Sequence, residues 1–234
     1  MKKMKVLLSI FLMISITLWG SGCMHDNGKG FVLYLENKYS NEKFEFVDFE
    51  GGTLFGGDTL RIARCKSNKF PNNDIYVVYD TNKKEYSDNY IDIKYSSETD
   101  NAINNVFKNA FQNENFYFIS AGENFNSTTK SSSLDSDISF NDYKCNRAIP
   151  IYAFVTNYSK KTHNEIAMDL EKAIVHEGLY CNSIEIYILD DYLDDIENND
   201  SLQNDIVVNN KYVDYLYATM SNSNGFDSIE WENE

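Results

Sequence analysis

The sequence predicts an α+β protein with mostly antiparallel sheets and a few helices packed on one face, arranged in two halves of similar size. Three observations carry this. Short β-rich runs outnumber helical stripes. Several of these runs follow one another with no crossover helix between them, which favours antiparallel pairing. A stretch dominated by Ser, Thr, Asn and Asp interrupts the middle of the chain, and loops of that length are uncommon inside one compact domain.

Taken in order, Phe31–Tyr39 places Phe31, Val32, Leu35 and Tyr39 at helical spacing and predicts a first helix. Lys43–Phe49 (KFEFVDF) is rich in β-formers and ends at Gly51-Gly52, so it predicts a strand entering a turn. Leu60–Cys65 and Asp74–Asp80 predict two more strands, with Pro71-Asn72-Asn73 as the turn between them. Asn89–Tyr95 alternates Ile91, Ile93 and Tyr95 against Asp92 and Lys94, the period of a half-buried strand. Ser97 is a candidate cap for a helix whose stripe runs through Ala102, Ile103, Val106, Phe107, Ala110 and Phe111. Asn115–Ser120 predicts a strand.

The polar stretch from 122 to 147 is the expected linker, separating a 31–121 half from a 148–234 half. Ile149–Thr156 predicts a buried strand. Thr162 followed by Glu165 matches a capping box, Ile166, Ala167, Leu170, Ala173 and Ile174 form the inward stripe, and Gly178 is placed to end the helix. Ser183–Leu189, Tyr212–Met220 and Phe226–Trp231 predict the last strands.

Composition narrows the function classes. The 17 Tyr and 15 Phe supply bulk for a core, and only two Pro interrupt the chain. The formal net charge is −15, although three lysines crowd the first five residues. So acidic a chain repels phosphate backbones, which argues against a nucleic-acid partner, and it also repels anionic lipid.

The first 30 residues therefore need their own explanation. Lys2, Lys3 and Lys5 precede an uncharged apolar run from Val6 to Trp19, followed by the small residues Gly20, Ser21 and Gly22 and then Cys23. This is the layout of a secretory signal peptide. The run is short for a permanent span, which needs about 20 apolar residues. Gly20-Ser21-Gly22-Cys23 resembles the lipobox of bacterial lipoproteins, with Gly20 standing where that family usually places an aliphatic residue. The resemblance implies removal of residues 1–22, attachment of a diacylglycerol to the Cys23 sulfur, and location on the extracytoplasmic face of a bacterial membrane. Two acyl chains make a firm anchor, at about 0.8 kcal/mol per buried methylene. Residues 23–30 would then be the lipidated cysteine and a short polar tether.

The export signal also permits disulfides. Cys145 in the polar loop and Cys181 at a strand start form the candidate pair, while Cys65 reads as a buried thiol. Without a C-x-x-C pair or an H-E-x-x-H helix, zinc and thioredoxin-like readings lack support. His163 and His176 share the helix after Thr162 but lie roughly 140° apart on it. The acidic run contributes Asp190, Asp191, Asp194 and Asp195 as a candidate calcium site; its competing reading is a solvated acidic helix face. Gly51–Gly57 lacks the Gly-Lys-Ser/Thr ending of a phosphate loop.

No set of residues in the sequence stands out as catalytic, and no cofactor is implied. The expectation is a lipid-anchored, non-catalytic binding module that meets a protein, peptide or saccharide through an exposed sheet or loops; the scattered tyrosines read first as half-buried packing with the hydroxyl at the edge, and only second as an aromatic binding surface. The alternatives are an anchored hydrolase using a pair of carboxylates, and a calcium-dependent adhesion module.

Overall fold

The computed structural model describes residues 28–50, 59–111, 115–120, 136–156, 161–190, 196 and 200–232. Cys23, the glycine-rich segment 51–57 and the acidic residues Asp191, Asp194 and Asp195 lie outside them. The fold is α+β, with two mostly antiparallel sheets of four and five strands.

The first sheet is a meander of β1 (Phe44–Glu50), β2 (Leu60–Ser67), β3 (Ile75–Asp80) and β4 (Glu85–Asp88), in that spatial order. A register shift between Phe46 and Asp48 bends β1. Helix α1 (Lys29–Lys38) lies on one face of this sheet. It buries Phe31 and Leu35 and sets the Phe31 ring edge-on to Phe49 and Tyr86. Gly28 starts α1 at φ 71°, and a Cβ there would sit 2.0 Å from the Phe46 ring, so only glycine fits. The opposite face carries an ion network in which Arg64 makes two hydrogen bonds to Asp48 and Lys66 lies 2.7 Å from Asp74.

Asn89–Tyr95 is where the sequence reading and the structure part. It is not a strand: α2 (Tyr90–Lys94) forms here and leads directly into α3 (Ser96–Phe111). The alternation assumed a solvated Asp92. Instead Asp92 is 2% exposed and bonds to Arg147 and Tyr143, more than 50 residues away, so both sides of the segment are buried.

The second sheet runs β5 (Phe116–Ser120), β6 (Pro150–Thr156), β7 (Ser183–Leu189), β8 (Asp214–Thr219), β9 (Ser228–Trp231). Because β5 pairs with β6, the polar stretch 122–147 joins two neighbours in one sheet and does not separate the sheets. Within it, α4 (Phe140–Asn146) forms on a Ser139 cap. The β6–β7 pair is parallel, connected by α5 (His163–Glu177). Thr162 and Glu165 form the full capping box, and Gly178 closes the helix at φ 67°. α3 and α5 cover the inner face, with Phe107 stacked on Phe118 and close to Phe116. Lys161 donates to the Ala110 carbonyl at the end of α3, tying the two helices together. One contiguous core joins residues of both sheets, from Phe31 to Met220.

Candidate functional site

Alternation along β6, β7 and β8 divides the second sheet cleanly. Ile151, Ala153, Ile184, Ile186, Leu216 and Ala218 point inward and are 1% exposed or less. The opposite, outer face carries two rows set by the register. One row runs Tyr117, Phe154, Tyr187, Tyr215; the other runs Ile119, Tyr152, Glu185, Tyr217, Glu230.

The two rows have different fates. Helix α6 (Asp200–Val208), which the sequence reading did not anticipate, brings Ile206 and Leu202 onto the first row. There they form a second small core with Phe154, Tyr187, Leu189 and Ile196. Gln203 holds this lid by donating to the Ile196 carbonyl at 2.6 Å. The second row stays open: Tyr152 is 38% exposed, Glu230 is exposed, and Glu185 and Tyr217 are half-buried.

Glu185 is the chemical centre of the open row. Its Oε2 accepts hydrogen bonds from Tyr187 at 2.9 Å and from Tyr215 at 3.2 Å. Tyr152 and Tyr217 flank it on the adjacent strands. Among the described residues its Oε1 has no hydrogen-bond partner and no cation pairs with the carboxylate. Burial first, and then the Glu185 charge, raise the Tyr152, Tyr187 and Tyr215 phenols above their ordinary range; for Tyr187 the hydrogen bond precedes the charge. These rings are therefore neutral donors at physiological pH. The arrangement is a carboxylate set among aromatic rings and hydroxyls on the outer face of the sheet.

Two further polar clusters are structural. Asp88, fully buried, accepts from Tyr34, Tyr39, Lys38 and the Tyr90 N–H, fastening α1 to the end of β4. Arg147 grips Asp92 through two nitrogens at 2.8 and 3.0 Å, with the Tyr143 hydroxyl on the same carboxylate. This joins α2 to α4.

At the other end of the second sheet, His163 stacks on Trp231 with ring centroids 4.1 Å apart and places Nε2 2.6 Å from Asp214. From the sequence His163 is placed only on the helix after Thr162. The Asp214 and Trp231 contacts show that it also locks α5 against β8 and β9.

The remaining sequence candidates separate. The Cys145–Cys181 bridge is not formed. Cys145 lies on α4, exposed, and its thiol donates to the Gly178 carbonyl at 3.2 Å, whereas Cys181 is buried. Burial pushes the Cys65 and Cys181 thiols up to about 12. Of the acidic run only Asp190 is described, and it is exposed. Among the described residues no cluster of three His, Cys, Asp or Glu side chains is placed to hold a metal ion. No helix among them is long and apolar enough to cross a membrane.

The outer-face row was legible only in part. The tyrosines and the strand Ser183–Leu189 were visible, but the choice of Glu185 depends on strand order and on α6 covering half of the face. Neither is encoded locally.

Comparison with known proteins finds no matching family model and no matching curated protein. Among solved structures, the crystal structure of a DUF5037 family protein from Ruminococcus gnavus is similar at 17% identity. The match covers 84% of this chain and 92% of that one with a TM-score of 0.36.

Proposed function

We propose that this chain is a lipid-anchored extracytoplasmic binding module, tethered to a bacterial membrane through Cys23 and meeting its partner with the outer face of the second sheet. The observation that carries the binding role is the open row Tyr152–Glu185–Tyr217–Glu230 beside a row of the same face that α6 covers. Aromatic rings around a carboxylate, with Tyr152 exposed and Tyr217 half-buried, supply what a recognition surface needs: rigid contact area with donors and acceptors at fixed positions. Support for the anchor comes from the basic, apolar and small-residue layout before Cys23. Hydrocarbon supplies the membrane attachment that the acidity of the chain opposes.

Cells expressing the full chain, fed an alkyne-bearing fatty acid, test the anchor. The expected result is label on Cys23 in the membrane fraction, lost in Cys23→Ser with release of the protein. A mature N-terminus beyond residue 23, or a bare Cys23 thiol in a freely secreted product, contradicts it.

A further inference from the structure

We infer that the open row of the second sheet binds the ammonium group of a lysine side chain on a basic polypeptide partner, with Glu185 as the counter-ion and Tyr152 and Tyr217 as flanking walls. This rests on the reading of that face as the binding surface and gives it a ligand chemistry.

Three features argue for a primary ammonium. First, Oε1 of Glu185 has no donor among the described residues, while Oε2 already accepts from two tyrosines. Oε1 is not among the buried side-chain atoms that lack a partner, so it is open to solvent and can accept from a ligand that brings an N–H, while the two tyrosines hold the carboxylate in place. A lysine brings three; a quaternary ammonium brings none. Second, Tyr152 and Tyr217 sit directly opposite Glu185 on the two adjacent strands. Aromatic faces within about 6 Å of a cation attract it and also pack its alkyl stem. Third, the charge is complementary and unfilled. No lysine, arginine or histidine of the described chain pairs with Glu185, and Glu230 extends the same row beyond Tyr217. Cross-strand neighbours are about 4.8 Å apart, so Glu185 and Glu230 lie roughly 10 Å from each other. A polypeptide carrying several lysines can engage both, and the −15 net charge of the chain draws it in over longer range.

Titration calorimetry of the full chain in detergent with a hexalysine peptide tests the assignment. Glu185→Gln keeps an acceptor for the tyrosine hydroxyls but removes the charge. It should weaken binding about tenfold, the ordinary worth of a charge-assisted hydrogen bond. Glu98→Gln removes the same unit charge from the exposed surface of α3 and should leave affinity within about twofold. Tyr152→Ala, at an exposed position, should weaken binding severalfold and gives a second reading should Glu185→Gln unfold. Acetylating the lysines should abolish the heat. Equal losses in the Glu185 and Glu98 variants would show unspecific attraction and overturn the site. So would absence of binding, or a choline salt competing as well as lysine. Hexalysine failure with label still on Cys23 removes this site and leaves the anchor; binding at Glu185 without lipidation does the reverse.

Discussion

Asp92 and Arg147 form an ion pair with side chains 2% and 5% exposed, set between α2 and α4. Taking two charges out of water is costly, so such a pair contributes little net stability; removing one partner strands the other. Asp92→Ala is accordingly expected to destabilise the protein by about 3–5 kcal/mol, while replacing both partners by apolar residues of similar size costs much less. Urea unfolding of the single and double variants measures the difference; additive losses would contradict it. The same residue shows where sequence reading stops. Asp92 looked like the polar side of a half-buried strand because its counter-ion Arg147 and its hydrogen-bond donor Tyr143 lie far along the chain. Glu185 was hidden for a related reason. It is one of many carboxylates until β6 and β8 place tyrosines on either side of it.

At the scale of elements, the strongest local signals were those satisfied within a few residues. Helix α5 is the clearest: Thr162 Oγ1 accepts from the Glu165 N–H at 3.3 Å, and the Glu165 carboxylate accepts from the Thr162 N–H at 2.8 Å. The backbone and hydroxyl bonds from Thr162 hold the Glu165 carboxyl below its usual range. A carboxyl with a depressed folded value contributes stability that is complete above its unfolded pKa, about 4.3, and is lost as pH falls through the folded value. The gap in melting temperature between the native chain and Glu165→Ala should therefore be steady from about pH 5 to pH 7 and narrow toward pH 3. A gap that widens in acid contradicts the box. Thr162→Ala is expected to cost about 1 kcal/mol. By contrast, α6 and α4 escaped the sequence reading. α6 is short and earns its place by packing Ile206 and Leu202 on Phe154 and Tyr187, a tertiary contact; α4 is seven residues long inside a polar stretch. Strand β4 is four residues long and was too short to register as a period.

For the whole molecule, the two sheets share one hydrophobic core, and the Asp92–Arg147 pair crosses from the segment after the first sheet to the segment before β6. Several tyrosines in this frame are buried against carboxylates. Tyr34 and Tyr39 beside Asp88, and Tyr143 beside Asp92, are pushed well above the ordinary phenol range, by burial first and the charge second. Groups whose folded pKa is raised favour the folded state less as pH rises past their unfolded value, about 10 for tyrosine. The contribution of these phenols should be flat from about pH 5 to pH 9 and stability should fall steeply above pH 10, with phenolate absorbance from these rings appearing together with unfolding. Their smooth ionisation in a folded protein would contradict the packing. The fold class was legible because hydrophobic period and turn residues are local properties; the division between sheets was not, because β5 pairs across the polar stretch. The proposed role depends on the outer face of the second sheet being the recognition surface. Its most direct test is tyrosine-resolved NMR of the full chain during titration with hexalysine. Ring shifts are expected at Tyr152 and Tyr217, with Tyr34 and Tyr39 unchanged. Shifts confined to the first sheet or to the His163–Trp231 end, with Tyr152 and Tyr217 silent, would contradict it.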